Sequence, residues 1–210
     1  FIDANGNLVI DPQGIGNDFT NRDLSFQFGT ISDHLFAGKF EPAALAQNDN
    51  DGFDKPGAYG FDNTAKEYRF LLDFDHDGVS DLRIVSAFQV NAIAVAGNFA
   101  PNHLGDEIGL FDGTSWYLDT VGDNQLHVKI VSNLRGNPIV GDFNGDGKDD
   151  LATYNAGTNT FQFDTNLDGQ ADDSLAVSGP FNGFTDLPVA GDLNLDGIDD
   201  LGVWVPNRQG

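Results

Sequence analysis

Cysteine and methionine are both absent from the 210 residues. The first absence excludes a disulfide framework and a thiol nucleophile. The second implies that the chain is trimmed or excerpted from a longer precursor. No run approaches the ~18 apolar residues of a membrane-spanning helix, so membrane insertion is not expected. Basic residues are scarce: 10 Lys and Arg stand against 33 Asp and Glu, for a formal net charge of −23. That imbalance repels nucleic-acid phosphates and anionic lipid surfaces, and it favours cations as partners.

What the chain does have is 26 glycines, 18 phenylalanines and 40% hydrophobic residues. This is enough apolar material for a core, in a composition that suits short strands joined by tight turns. No segment shows useful helical periodicity. Internal repeats are visible instead. Pro138-Ile-Val-Gly-Asp-Phe-Asn-Gly-Asp-Gly-Lys-Asp-Asp-Leu151 aligns with Pro188-Val-Ala-Gly-Asp-Leu-Asn-Leu-Asp-Gly-Ile-Asp-Asp-Leu201, and weaker copies surround Gly38 and Gly97. A second acidic element alternates with the first, best seen in Phe161–Asp172 and Phe70–Asp81.

In the clearest copy, strands are expected at 138–142, 150–155, 160–164 and 172–178, with a hairpin turn at Ala156-Gly-Thr-Asn159. Four antiparallel strands per repeat of roughly 50 residues describe a propeller blade. The chain is therefore expected to be all-β, a single β-propeller domain over 1–210 with four blades of four antiparallel strands. The blades span about 34–86, 92–131, 137–178, and 187–205 together with 1–29. The last is shared between the N- and C-termini and closes the ring without an unpaired edge. The alternative is four repeats excerpted from a longer ring.

Four segments match Asp-x-[Asp/Asn]-x-Asp-Gly-x-x-Asp: residues 73–81, 142–150, 164–172 and 192–200. Calcium takes six to eight hard oxygens at about 2.3–2.6 Å, and alternate side chains of a tight loop point inward to supply them. The expected side-chain ligands are Asp73, Asp75, Asp77 and Asp81; Asp142, Asn144, Asp146 and Asp150; Asp164, Asn166, Asp168 and Asp172; and Asp192, Asn194, Asp196 and Asp200. Backbone carbonyls of Val79, Lys148, Gln170 and Ile198 at position 7 are expected to complete the shells. About four calcium ions follow. These are not EF-hands, because position 12 is Ile84, Thr153, Leu175 or Val203 rather than Glu.

Other acidic stretches are degenerate. Asn98 to Glu107 lacks the central acids, and Asp119 to His127 has lost positions 6 and 9, so both are expected to be empty. Lys39 replaces the first ligand of the first copy, with Asp49, Asp51 and Asp54 nearby. Asp3, Asn5, Asn7 and Asp11 keep the oxygen spacing but carry Leu8 where Gly belongs.

In Val140–Leu151 and Val189–Leu201 the chain resembles the FG-GAP repeats of integrin α-subunits and related bacterial surface proteins. The resemblance is strong over about the last seventy residues and thin over the first sixty. It implies a propeller, calcium in the loop between strands one and two, and an adhesive or scaffold role. A second acidic loop, between strands three and four, departs from the simplest form of that pattern.

No Gly-x-Ser-x-Gly elbow and no phosphate loop occurs, and loop spacing already accounts for the acids, so no enzyme is expected. The four histidines (His34, His76, His103, His127) are expected to be solvent-facing turn residues, and Trp116, Tyr117 and Trp204 to be buried between blades. Extracellular calcium modules bind at roughly 0.1–1 mM, sites that fill outside cells and stay empty in cytosol. The expectation is thus a non-catalytic, calcium-binding structural or adhesive module at the cell surface or outside it, with other proteins or glycans as partners. A lectin-like propeller using its aromatics and a calcium-dependent polysaccharide hydrolase or lyase are the alternatives.

Overall fold

The computed structural model describes residues 28–40, 54–100, 103, 105–178 and 186–205. Among these, every regular element is a strand, and all pairing is antiparallel between sequence neighbours. The first sheet holds β1 (His34–Gly38), β2 (Lys55–Asp62), β3 (Glu67–Leu72) and β4 (Leu82–Val85). The second holds β5 (Ile93–Gly97), β6 (Glu107–Phe111), β7 (Ser115–Leu118) and β8 (Val128–Val131). The third holds β9 (Asn137–Gly141), β10 (Asp150–Asn155), β11 (Thr160–Asp164) and β12 (Asp173–Ala176), close to the strands read from the repeat. The fourth has two described strands, β13 (Leu187–Gly191) and β14 (Asp200–Trp204).

Each sheet is a meander, and no sheet closes on itself. Sheets meet through their first strands: β1 lies against β5, β5 against β9, and β9 against β13. Three apolar clusters fill the joints. Phe40, Tyr59, Phe70 and Leu72 pack on Ala94, Ile108 and Leu110. Val95, Phe99 and Trp116 pack on Leu151. Tyr154, Phe161 and Phe163 receive Leu201 and Val203. The central strands are buried on both sides, which is why β6 and β7 have no exposed residue although the sheet edges do.

The repeated glycine at the ends of β1, β5 and β9 has a packing cause. A Cβ on Gly38 would lie 2.5 Å from Ala96 Cβ, and one on Gly141 would lie 2.5 Å from Asp199 Oδ2. A Cβ on Gly97 would likewise overlap Val140 of the following sheet. At Gly191 no described residue lies within 4 Å of an added Cβ, and the described residues do not close a ring. The expected pairing of the first and last strands falls on residues outside those described. We expect Gly38→Val to drive the first two sheets apart and to cost on the order of 3 kcal/mol, read as a lower denaturant midpoint.

A polar clasp accompanies each of Gly38, Gly97 and Gly141. Lys39 N donates to Asp106 Oδ2 at 2.8 Å, Asn98 N to Asp149 Oδ2 at 2.8 Å, and Asp142 N to Asp199 Oδ2 at 2.9 Å. The same three aspartates return a backbone bond, from Asp106 N to Lys39 O, Asp149 N to Asn98 O and Asp199 N to Asp142 O. Two hydrogen bonds thus tie each sheet to the next at one end of its first strand. Burial pushes the Asp149 carboxyl up to about 6, against the pull of the Asn98 amide, and neighbouring acids add to the rise.

Candidate metal centre

Because the sheets are meanders, the turns after the first and third strands emerge on the same side. The 142–150 and 192–200 turns follow β9 and β13. The 73–81 and 164–172 turns follow β3 and β11. In all four, residues 4 and 6 take left-handed backbone. Position 6 is Gly78, Gly147, Gly169 or Gly197, with φ of +84, +85, +86 and +87°. Position 4 is His76, Gly145, Leu167 or Leu195, with φ of +62, +78, +58 and +63°. A side chain is disfavoured there, so non-glycine residues at position 4 are held by the rest of the turn.

That backbone wraps around the first aspartate. The N–H of position 6 donates to Oδ2 of Asp73 (2.8 Å), Asp142 (2.8 Å), Asp164 (2.7 Å) and Asp192 (2.9 Å). The N–H of position 7 (Val79, Lys148, Gln170 and Ile198) donates to Oδ1 of Asp77, Asp146, Asp168 and Asp196. The closing aspartate accepts the N–H of position 2 through Oδ2 in each copy, at Asp81, Asp150, Asp172 and Asp200. Its other oxygen faces the turn. The first aspartates are buried or half-buried, while positions 3 and 5 reach solvent.

Position 3 then separates the loops. Asn144, Asn166 and Asn194 each donate Nδ2 to the closing aspartate's Oδ1, at 3.1, 3.1 and 3.4 Å. In the 73–81 turn the residue is Asp75, which has no proton to give. Carboxylate oxygens of Asp73, Asp75 and Asp81 accordingly converge, all within 4.8 Å of one another. Asp73 is fully buried, and its Oδ1 has no hydrogen-bond partner of good geometry. A buried carboxylate oxygen left in this way is costly unless a cation meets it. Burial raises the Asp73 carboxyl above the ordinary carboxylate range, and the charges of Asp75 and Asp77 add to the rise, against the pull of the Gly78 and His76 amides. Burial likewise pushes Asp150 up to about 7, with Asp146, Asp142 and Asp149 contributing, and raises Asp164. The donor set is all oxygen, clustered and short of counter-charge, and it fits a hard divalent ion.

Sequence reasoning missed two features. The first is the clasp aspartate at position 8. Its signal is the doublet Asp149-Asp150 and Asp199-Asp200 in the loops after first strands, against Ser80-Asp81 and Ala171-Asp172 in the loops after third strands. The second is the 119–127 turn, which keeps its shape although it lacks Gly at position 6. Asn124 adopts φ +62° there and donates to Asp119 Oδ2 at 2.7 Å. Short polar side chains tolerate this region, which the Gly-based pattern did not allow for.

Two other expectations need correction. His127 faces solvent as expected, with Nε2 2.8 Å from Asp123 Oδ1, whereas the His103 side chain is only 19% exposed, with Nδ1 2.7 Å from Glu107 Oε1. Trp116 and Tyr117 are buried between sheets, but Trp204 is 62% exposed, since no described strand lies beyond β14. The stretches with Asp3, Asn5, Asn7 and Asp11 and with Asp49 and Asp51 lie outside the described residues. Comparison of the chain with protein-family models, with curated proteins and with solved structures returned no match in any of the three.

Proposed function

We propose that the protein is a calcium-binding, non-catalytic module of a larger extracellular or cell-surface protein, with the 73–81, 142–150, 164–172 and 192–200 turns as its ion sites. The observation that carries this reading is Asp73 Oδ1, buried without a well-aligned donor among the converging oxygens of Asp75 and Asp81. The other three turns share its backbone and its hydrogen bonds to the first aspartate. Calcium there would draw the strand ends of each sheet together, and the ions would serve the fold rather than a reaction.

In this reading the four sheets are blades of one propeller, the fourth completed by residues 1–29. Among the described residues nothing lies within 4 Å of a Cβ at Gly191 and no strand pairs the far side of β14, which leaves room for a further strand pair at that place. Weak calcium sites argue for a location outside the cell, because millimolar calcium is found there. A rigid acidic disc suits a spacer or contact surface. The lectin alternative loses Trp116 as a stacking residue, since that ring has no exposed surface.

Calorimetric titration of chelator-treated protein tests the reading. About four calcium ions per chain should bind, and Asp73→Asn should remove one of them while leaving the others. A stoichiometry of zero at about 10 mM calcium, well above the usual range for extracellular modules, would end the proposal.

A further inference from the structure

We propose that Asn144, in the turn between β9 and β10, is a self-modification site. With Gly145 it loses ammonia through a succinimide and becomes aspartate or isoaspartate, which adds a carboxylate to the 142–150 turn. This is the single Asn-Gly pair among the described residues, because those at 5–6 and 182–183 lie outside them. The reaction needs the backbone nitrogen that follows an Asn to reach that residue's own side-chain carbon. Glycine leaves the approach unhindered. Asn166 and Asn194 hold the same position in their turns but precede Leu167 and Leu195, whose side chains obstruct the nitrogen.

The atoms that must react each have a partner in the turn. Gly145 N–H donates to Asp142 Oδ1 at 2.6 Å, which sets a base on the proton that has to leave. Asp146 N–H donates to Asn144 Oδ1 at 2.9 Å, on the oxygen that gains charge as the ring closes. Asn144 Nδ2, the leaving nitrogen, donates to Asp150 Oδ1 at 3.1 Å. Asn144, Gly145 and Asp146 are exposed, so water reaches the ring once it has formed. The bond from Gly145 N to Asn144 Cγ forms, the Cγ–Nδ2 bond breaks, and ammonia leaves with the proton taken from Gly145 N. Water then opens the ring. Opening at Cγ gives aspartate, and opening at the backbone carbonyl gives isoaspartate. Aspartate at position 3 is what the 73–81 turn already carries as Asp75. The product turn loses the amide that holds Asp150 Oδ1 and gains a fourth carboxylate, as in 73–81. One further consequence rests on the function proposed above. An ion held by Asp142 and Asn144 takes the base away from the Gly145 amide, so bound calcium protects the site.

The test incubates the protein at mildly alkaline pH, below its unfolding midpoint, with EDTA and in parallel with calcium. Circular dichroism checks that it stays folded. Peptides covering residues 144, 166 and 194, cut at acid pH, are followed by mass spectrometry. In EDTA the 144 peptide should gain one mass unit, split between aspartyl and isoaspartyl forms, more than about tenfold faster than the other two. Gly145→Ala should remove that advantage. Asp142→Asn should slow the folded protein several-fold and leave the rate in urea unchanged, because the base is placed only by the turn. Calcium should slow the wild type by about tenfold. An unchanged 144 peptide in the folded protein, or equal rates at the three asparagines, would overturn the proposal. So would an Asp142→Asn rate equal to that of the folded wild type. Modification at Asn144 that proceeds equally with and without calcium would support the site and count against ion binding at this turn alone.

Discussion

Chelation of divalent ions with EDTA should lower the thermal midpoint of this protein by roughly 10–20 °C. Each site that binds only the folded state adds about 1.4 kcal/mol for every tenfold excess of ion over its dissociation constant. Four turns at tenfold excess therefore contribute on the order of 5 kcal/mol, and a domain of this size shifts by about 2–4 °C per kcal/mol. The pH dependence should invert with metal content. Without calcium, the Asp150 carboxyl sits at about 7, above its ordinary value of 3.8, because burial and three nearby acids disfavour its charge. The folded state then holds a proton that the unfolded chain releases. Stability from this group is full below about pH 4 and is lost as pH rises through 7. With calcium bound the carboxylate must be ionised, so protons compete with the metal and stability falls as pH drops. Scanning unfolding at pH 5 and pH 8, with calcium and with EDTA, checks both signs. Equal midpoints in all four conditions would remove the ions from the account of the fold.

Arg69→Met should be the most damaging single substitution in the first sheet, at about 3–5 kcal/mol. Asp33, just before β1, and Arg69, in β3, form a two-pronged pair at 3.0 and 2.9 Å, with side chains 0 and 5% exposed. Removing the guanidinium leaves a carboxylate buried without its counter-charge. Burial tends to raise the Asp33 carboxyl, but Arg69 and the Thr30 amide overcome this and hold it below the ordinary range. A depressed carboxyl contributes stability that is present above its unfolded value, near 4, and is lost as pH falls through the folded one. The gap between wild type and variant should therefore narrow as pH drops below 4, where protonated Asp33 no longer needs the cation. Urea midpoints at pH 7 and pH 3.5 measure it. A gap that stays constant would mean that lost packing of the Arg69 stem, and not charge, carries the effect.

The legible parts of the chain were those written by local chemistry. Alternating short apolar runs and Gly-rich acidic turns specify antiparallel meanders, and the nine-residue turn pattern specifies where backbone amides gather around an aspartate. Those features depend on residues within about ten positions of one another, so spacing alone carries them. The repeat also exposed the glycines at the ends of β1, β5 and β9, although their cause was not visible. It lies in the next sheet, at Ala96, Val140 and Asp199.

What only the tertiary structure decided are the contacts between distant segments. The clasp joins residues 98 and 149, a pairing across 51 positions that no local pattern announces. The separation of 73–81 from its three sister turns rests on one missing amide proton at Asp75, which matters only once the closing Asp81 is seen to face it. The 119–127 turn looked degraded because its consensus glycine was gone. Folding shows Asn124 in the same left-handed conformation, and it sets His103, from a different turn, against Gly122. Sequence by itself thus determined the strands and the oxygen-bearing turns, since hydrogen bonding and side-chain alternation are local. Which turns gather unpaired charge was settled by packing, because desolvation and proximity exist only between sheets that have come together.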